Sequence, residues 1–201
     1  MELILKDINI AWNQWMGKPA FRLELRRQWA GVGFPTEMDI LFFQPKPSDG
    51  LRGDEFFTII ATAGMGLFAI EKPYPRVELA LTIKGEWPRP KLEALGRKLA
   101  EMAVVPFRFD LPAQPNVILS SVELPLFESM NHLLYTHWGV YAPHWLPGLT
   151  PAVLVLGVVP LFDAEVDLVQ NIGDKETFRR FTHENIETDD PKRAVAPLHT
   201  I

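Results

Sequence analysis

The stretch Phe56 to Trp87, FFTIIATAGMGLFAIEKPYPRVELALTIKGEW, constrains this chain more than any other. FFTIIATA is apolar and β-branched enough for a central strand. VELALTI alternates, so that Val77, Leu79, Leu81 and Ile83 share one face. Between the two predicted strands, Gly64 and Gly66 bracket Met65, which marks a backbone with φ > 0 or an approach too close for a Cβ. Two neighbouring strands of this kind require a sheet, and the rest of the chain must supply the layers that cover it.

The 201 residues are enough for one large domain, and no linker divides them. A hydrophobic fraction of 47% with a mean hydropathy of +0.02 supports a sizeable core. The net charge is −5 and no basic block occurs, which argues against direct nucleic-acid binding, where phosphate contacts need clustered Lys and Arg. With no cysteine there is no disulfide, thiol nucleophile or thiolate zinc site. MELILKDINI lacks a secretory pattern, and the longest apolar run, Ala152 to Val159, is too short to span a bilayer. The expectation is a cytoplasmic protein that does not insert in membranes.

Ile4, Ile8, Trp12 and Trp15 recur at helical spacing, predicting an amphipathic helix from Met1 to about Gly17. Phe21 to Gln28 alternates as a half-buried strand, and Gly31, Gly33 and Pro35 turn the chain into a second apolar strand, Met38 to Phe43. Pro45 to Gly53 is a polar loop by composition. After Trp87, Pro88 and Pro90 suit a helix start, and Leu92, Leu95, Leu99 and Met102 or Ala103 give the helical period up to Pro106, which is expected to end it. Phe107 to Val117 reads as irregular, Ile118 to Leu126 as holding a short strand and Asn131 to Thr136 as another. Ala152 to Pro160 is the most buried-looking strand. Two short helices, Asp163 to Asn171 and Lys175 to Asn185, are separated by Gly173, and a last strand is expected near Arg193 to Pro197.

Several of these segments, in this order, resemble the suppressor-of-fused (SUFU-like) domain. They are MDILFFQP; TAGM, with Thr62, Gly64 and Met65; VELALTI followed by Trp87-Pro88 and a helix; TPAVLVLGVVPLFDAEVDLV, which leads into a helix carrying Glu165; and Asp190 with Lys192 and Arg193. The resemblance runs from about Met38 to Pro197. It implies an α+β fold, a central mixed, largely antiparallel sheet flanked by helices, with residues 1–201 forming one such domain. It also implies binding to protein. The animal member holds a transcription-factor peptide between two domains, and this chain matches the first of them, so that clamp is not implied here. Bacterial single-domain relatives resemble immunity proteins that neutralise toxins. No peptide-contact residue carries over.

Chemical constellations are sparse. His132, His137 and His144, with Asp163 and Glu165 beyond them, have the donor types of a divalent metal site, but their spacing matches no compact helical ligand pair. Asp163, Glu165 and Asp167 invite a paired-carboxylate reading, whereas Asp163 is better placed as a cap or first-turn acid. Gly64-Met65-Gly66 is no phosphate loop, since no Lys-Ser or Lys-Thr follows. Ser120 and Ser121 lie outside any G-x-S-x-G elbow, and Glu78 reads as solvated or hydrogen-bonded. The segment YTHWGVYAPHW stands out, because large amphipathic aromatics among turn formers are the residue types of binding hot spots. His137, Trp138, Tyr141, His144 and Trp145 are the candidate protein-binding residues, joined by Tyr74 on the proline-stiffened loop EKPYPR. The leading reading is a non-catalytic protein-binding module without cofactor, in its sharpest form an immunity protein whose acidic surface meets a basic toxin. A metal-dependent or small-molecule enzyme using the three histidines, and a homodimeric assembly protein using the aromatic loop, remain open beside it.

Overall fold

Helix α1 (Leu5–Met16) precedes strands β1 (Phe21–Arg26), β2 (Glu37–Phe43), β3 (Phe57–Ala63) and β4 (Arg76–Lys84). Helix α2 (Arg89–Phe109) leads to β5 (Val117–Ser120), β6 (His132–His137), β7 (His144–Trp145) and β8 (Val153–Leu161), and α3 (Asp163–His183) follows. These elements come from a computed structural model that describes residues 3–26, 35–46, 49–70, 75–138 and 143–196. One 8-stranded sheet runs β1-β2-β3-β4-β8-β6-β5, with β7 also paired to β8. All described pairings are antiparallel except β4 with β8, which makes the sheet mixed. The fold class expected from the sequence is the one observed.

The parallel seam explains the order of the chain. Parallel neighbours need a crossover, and α2 with β5 to β7 lies between β4 and β8 in sequence. β8 therefore becomes a central strand, and eight of its nine residues are buried. Strand alternation divides the core in two. Ile40, Phe42, Ile60, Leu79, Leu81, Tyr135, Leu154 and Leu156 pack with Leu92, Leu95 and Leu99 of α2 on one face. On the other, Leu41, Phe43, Ile59, Ala61, Ala80, Val153 and Val155 pack with Ile8, Ala11 and Trp12 of α1. Leu134 and Leu161 pack with Val169, Phe178 and Phe181 of α3 in a smaller cluster.

Three local expectations need correction. Pro106 lies inside α2, which runs on to Phe109 and closes on Asp110 in the left-handed region. Proline cannot donate to the carbonyl of Met102, but the Tyr135 hydroxyl does so at 3.2 Å, so the helix survives its missing bond. The segment 193–196 is not a strand. His144 and Trp145, expected in a loop, form a two-residue strand opposite Val155 and Leu154. Gly173 does break the helical path, with φ 79° inside α3. No helix among the described residues is long and apolar enough to cross a membrane.

Candidate functional site

Strand alternation and register place three small residues in a row across the sheet. Ala80 of β4 is opposite Gly157 of β8, and Gly157 is opposite Thr136 of β6. The row lies on the face shared by α1 and α3, between the cluster that each helix buries. It floors a cavity of about 310 Å³, lined also by Thr82, Val159, His137, Trp138, Thr188 and Asp189. A Cβ on Gly157 would stand 3.3 Å from Thr136 Cγ2 and 3.6 Å from the His137 carbonyl, so glycine keeps this floor low.

The two walls have different chemistry. One is aromatic: Trp138 meets Trp15 edge-on at 6.4 Å between centroids, and Trp15 stacks on Trp12 at 5.5 Å and on His144 at 5.7 Å. The indole N–H of Trp12 donates to the Thr62 carbonyl at 2.9 Å, which anchors the stack in the core. The other wall is the segment after α3. It is held by the Lys84 N–H donating to the Asp189 carbonyl at 2.9 Å and by an ion pair between Lys84 and Glu187. Burial, more than its neighbours, raises the pKa of the Asp189 carboxyl, with Lys84 acting against the rise.

The residues singled out from the sequence do not all converge. His137 and Trp138 line the cavity, and His144 supports its aromatic wall from behind. Trp145 alternates to the other side of β7 and is 47% exposed. Tyr74 and Tyr141 lie outside the described residues. His132 is elsewhere, at the β5–β6 edge: Nδ1 is 3.0 Å from Ser120 Oγ and Nε2 is 3.0 Å from Asp163 Oδ1. Serine, histidine and aspartate are thus strung together, but the Asp163 side chain is 82% exposed and solvent screens the charge that a triad would keep buried. Asp163 is a first-turn acid of α3, as expected. Among the described residues no group of three or more His, Asp and Glu side chains could hold a metal ion, so the three histidines do not form the centre their residue types allow.

Two buried acids carry roles that single-residue reading did not find. Glu78, fully buried and not solvated, accepts from the Gly64 and Gly66 N–H groups at 2.9 and 2.8 Å and from the Thr62 hydroxyl at 2.6 Å. Gly64 has φ 137°, and a Cβ there would lie 2.7 Å from the Glu37 carbonyl, so the TAGM turn can close only on glycine. Glu165 forms a bidentate pair with Arg193, at 2.5 and 2.7 Å, and also accepts from the Ala196 N–H at 3.1 Å. Arg193 Nη2 donates to the Pro160 carbonyl at 3.0 Å as well. The signal for both was present as order in the sequence: Thr-x-Gly-Met before a strand Glu, and a late Arg after a helix Glu.

The chain matches no protein-family model and no curated protein. Among solved structures it is similar to one described as a homolog of SUFU (suppressor of fused protein) from Neisseria gonorrhoeae FA 1090, with 16% identity over 94% of this chain and 97% of that one and a TM-score of 0.61. It is similar to a chain of a Sufu–Fu complex, with 11% identity over 96% and 91% and a TM-score of 0.63. It is also similar to Drosophila Suppressor of Fused, with 10% identity over 88% of this chain, a TM-score of 0.54 and 45% of that chain covered. The fold is SUFU-like.

Proposed function

We propose that this SUFU-like domain, taken as one unit over residues 1–201, is a non-catalytic protein-binding module and that a partner segment enters the groove over Ala80, Gly157 and Thr136. The observation that carries this reading is the row of small residues kept open between two helix-covered clusters, walled by aromatics on one side and by a desolvated carboxyl on the other. Fixed indoles offer a large rigid contact area at low entropic cost, and a carboxyl partly removed from water gains from a cationic or N–H donor. The likeness to a chain of a Sufu–Fu complex supports a protein as the occupant.

In its finer form the module is a cytoplasmic immunity protein covering a basic toxin, which suits a net charge of −5. Complementary charge would then speed association, and added salt would slow it. Photo-crosslinking tests the site. A crosslinker at Thr188 is expected to capture one partner from the native cell, and the same group at Arg97, exposed on α2 on the opposite face, is not. Equal capture at both positions, or none at Thr188, would remove the groove reading. An association rate indifferent to salt would remove the electrostatic part alone.

A further inference from the structure

A second cavity, of about 350 Å³, lies away from the groove where the first turn of α2, the loop before β6 and the C-terminal segment meet. Its lining includes Trp87, Lys91, Ser129, Lys192, Arg193 and, exposed at the rim, Glu128. Lys91 Nζ is 5.7 Å from the centre of the Trp87 ring and Lys192 Nζ is 5.5 Å from it. One cation over an indole is favourable, whereas two ammonium groups sharing one ring repel each other unless an anion joins them. Neither ammonium is in an ion pair among the described residues.

The Arg193 side chain also lines this cavity. It is only 5% exposed, and although Nη1 and Nη2 are bound to Glu165 and Pro160, its Nε has no hydrogen-bond partner. A buried N–H left unsatisfied is costly, and few persist in folded proteins without a reason. Because Glu165 already balances the guanidinium, that N–H adds a directed donor rather than net charge. Two ammonium groups and the Ser129 side chain line this cavity from three separate segments, together with the Arg193 side chain that carries the unpartnered N–H. Such donors suit an anion with three terminal oxygens better than a planar carboxylate.

We propose that this cavity binds a phosphate group, either a free phosphate compound or a phosphorylated side chain of a protein, between Lys91 and Lys192 beside Trp87. Glu128 is the opposing charge, which fixes the sign of its removal. The Trp87 indole N–H is a built-in reporter, because it donates to the Lys84 carbonyl at 2.8 Å within the fold.

The experiment titrates inorganic phosphate into the ¹⁵N-labelled full chain and follows that indole resonance, with chloride at equal ionic strength as control. Phosphate is expected to shift it saturably and chloride is not. Lys91→Gln with Lys192→Gln, both exposed positions, should weaken the half-saturation at least tenfold, and Glu128→Gln should tighten it. Equal response to the two anions, or a double variant that titrates like the parent, would overturn the proposal. A short phosphoserine peptide run beside inorganic phosphate separates the sources: tighter binding of the peptide assigns the site to a protein-borne phosphate, and equal or weaker binding assigns it to a free one.

Discussion

Glu78 shows how one side chain can be both structural and titratable. Its carboxyl is fully buried, and burial pushes its pKa from 4.5 up to about 7 against the opposing pull of the Thr62, Gly64 and Gly66 hydrogen bonds. Both protonation states can be satisfied. The Thr62 hydroxyl donates to the carboxylate at 2.6 Å, and when the carboxyl is protonated that hydroxyl can accept and turn toward the Leu79 carbonyl at 3.4 Å. With the folded pKa raised, the group's stabilising contribution is complete below about pH 4.5 and is lost as pH climbs through about 7. The loss amounts to about 3 kcal/mol. In Glu78→Gln the amide oxygen can accept from the two glycine N–H groups while its NH₂ donates to Thr62. Urea unfolding at pH 5 and pH 8 should therefore show a smaller drop for Glu78→Gln than for the parent. Identical drops in the two proteins would sink the assignment. Glu78→Ala orphans two buried N–H groups and should cost about 3 kcal/mol at pH 5, and less at pH 8, where the parent has already lost the contribution of the protonated carboxyl.

Single elements show where the sequence was legible and where it was not. α1, α2 and every strand with a clear period of two were readable because side-chain alternation and helical spacing are local properties. The extension of α2 past Pro106 was not, because the donor that rescues the Met102 carbonyl is Tyr135, 33 positions away in sequence. The same limit hid the role of the C-terminal segment. Its apolar tail near Val195 and Ala196 suggested a strand, but Arg193 makes it a tether, joined to Glu165 at the start of α3 and lying over the Phe162 ring at 4.8 Å. The groove was equally illegible: Ala80, Thr136 and Gly157 are unremarkable one at a time and become a floor only through register. The tether carries a testable consequence. Arg193→Met strands a buried carboxylate and should cost about 3–5 kcal/mol, whereas Arg193→Met with Glu165→Leu should recover part of it, since an apolar pair can replace a buried ion pair but leaves the Ala196 N–H without its acceptor. Denaturant midpoints for the two single variants and the double variant close the cycle. A double variant as unstable as the sum of the singles would show that the ion pair is not the tether.

At the scale of the whole molecule, the sheet supplies more face than its helices cover. α1 and α3 bury separate clusters, and the parallel seam places β8 between them with Gly157 at the gap. Glycine inside a central strand weakens it, because it adds backbone entropy and no packing. A Cβ there would stand 3.3 Å from the Thr136 methyl and 3.6 Å from the His137 carbonyl, a tight fit that a shift of the methyl by a few tenths of an ångström relieves. Gly157→Val should accordingly leave stability unchanged or raise it by up to about 1 kcal/mol. If the groove is kept open for a partner, the same substitution should lower capture from the Thr188 crosslinker at least tenfold. Opposite signs for stability and binding are the mark of a position held for function rather than for the fold. Thermal unfolding read beside crosslinking decides it: a stable Gly157→Val that captures its partner as well as the parent would mean that the row of small residues has no part in binding, and an unfolded one would mean that the glycine serves the sheet.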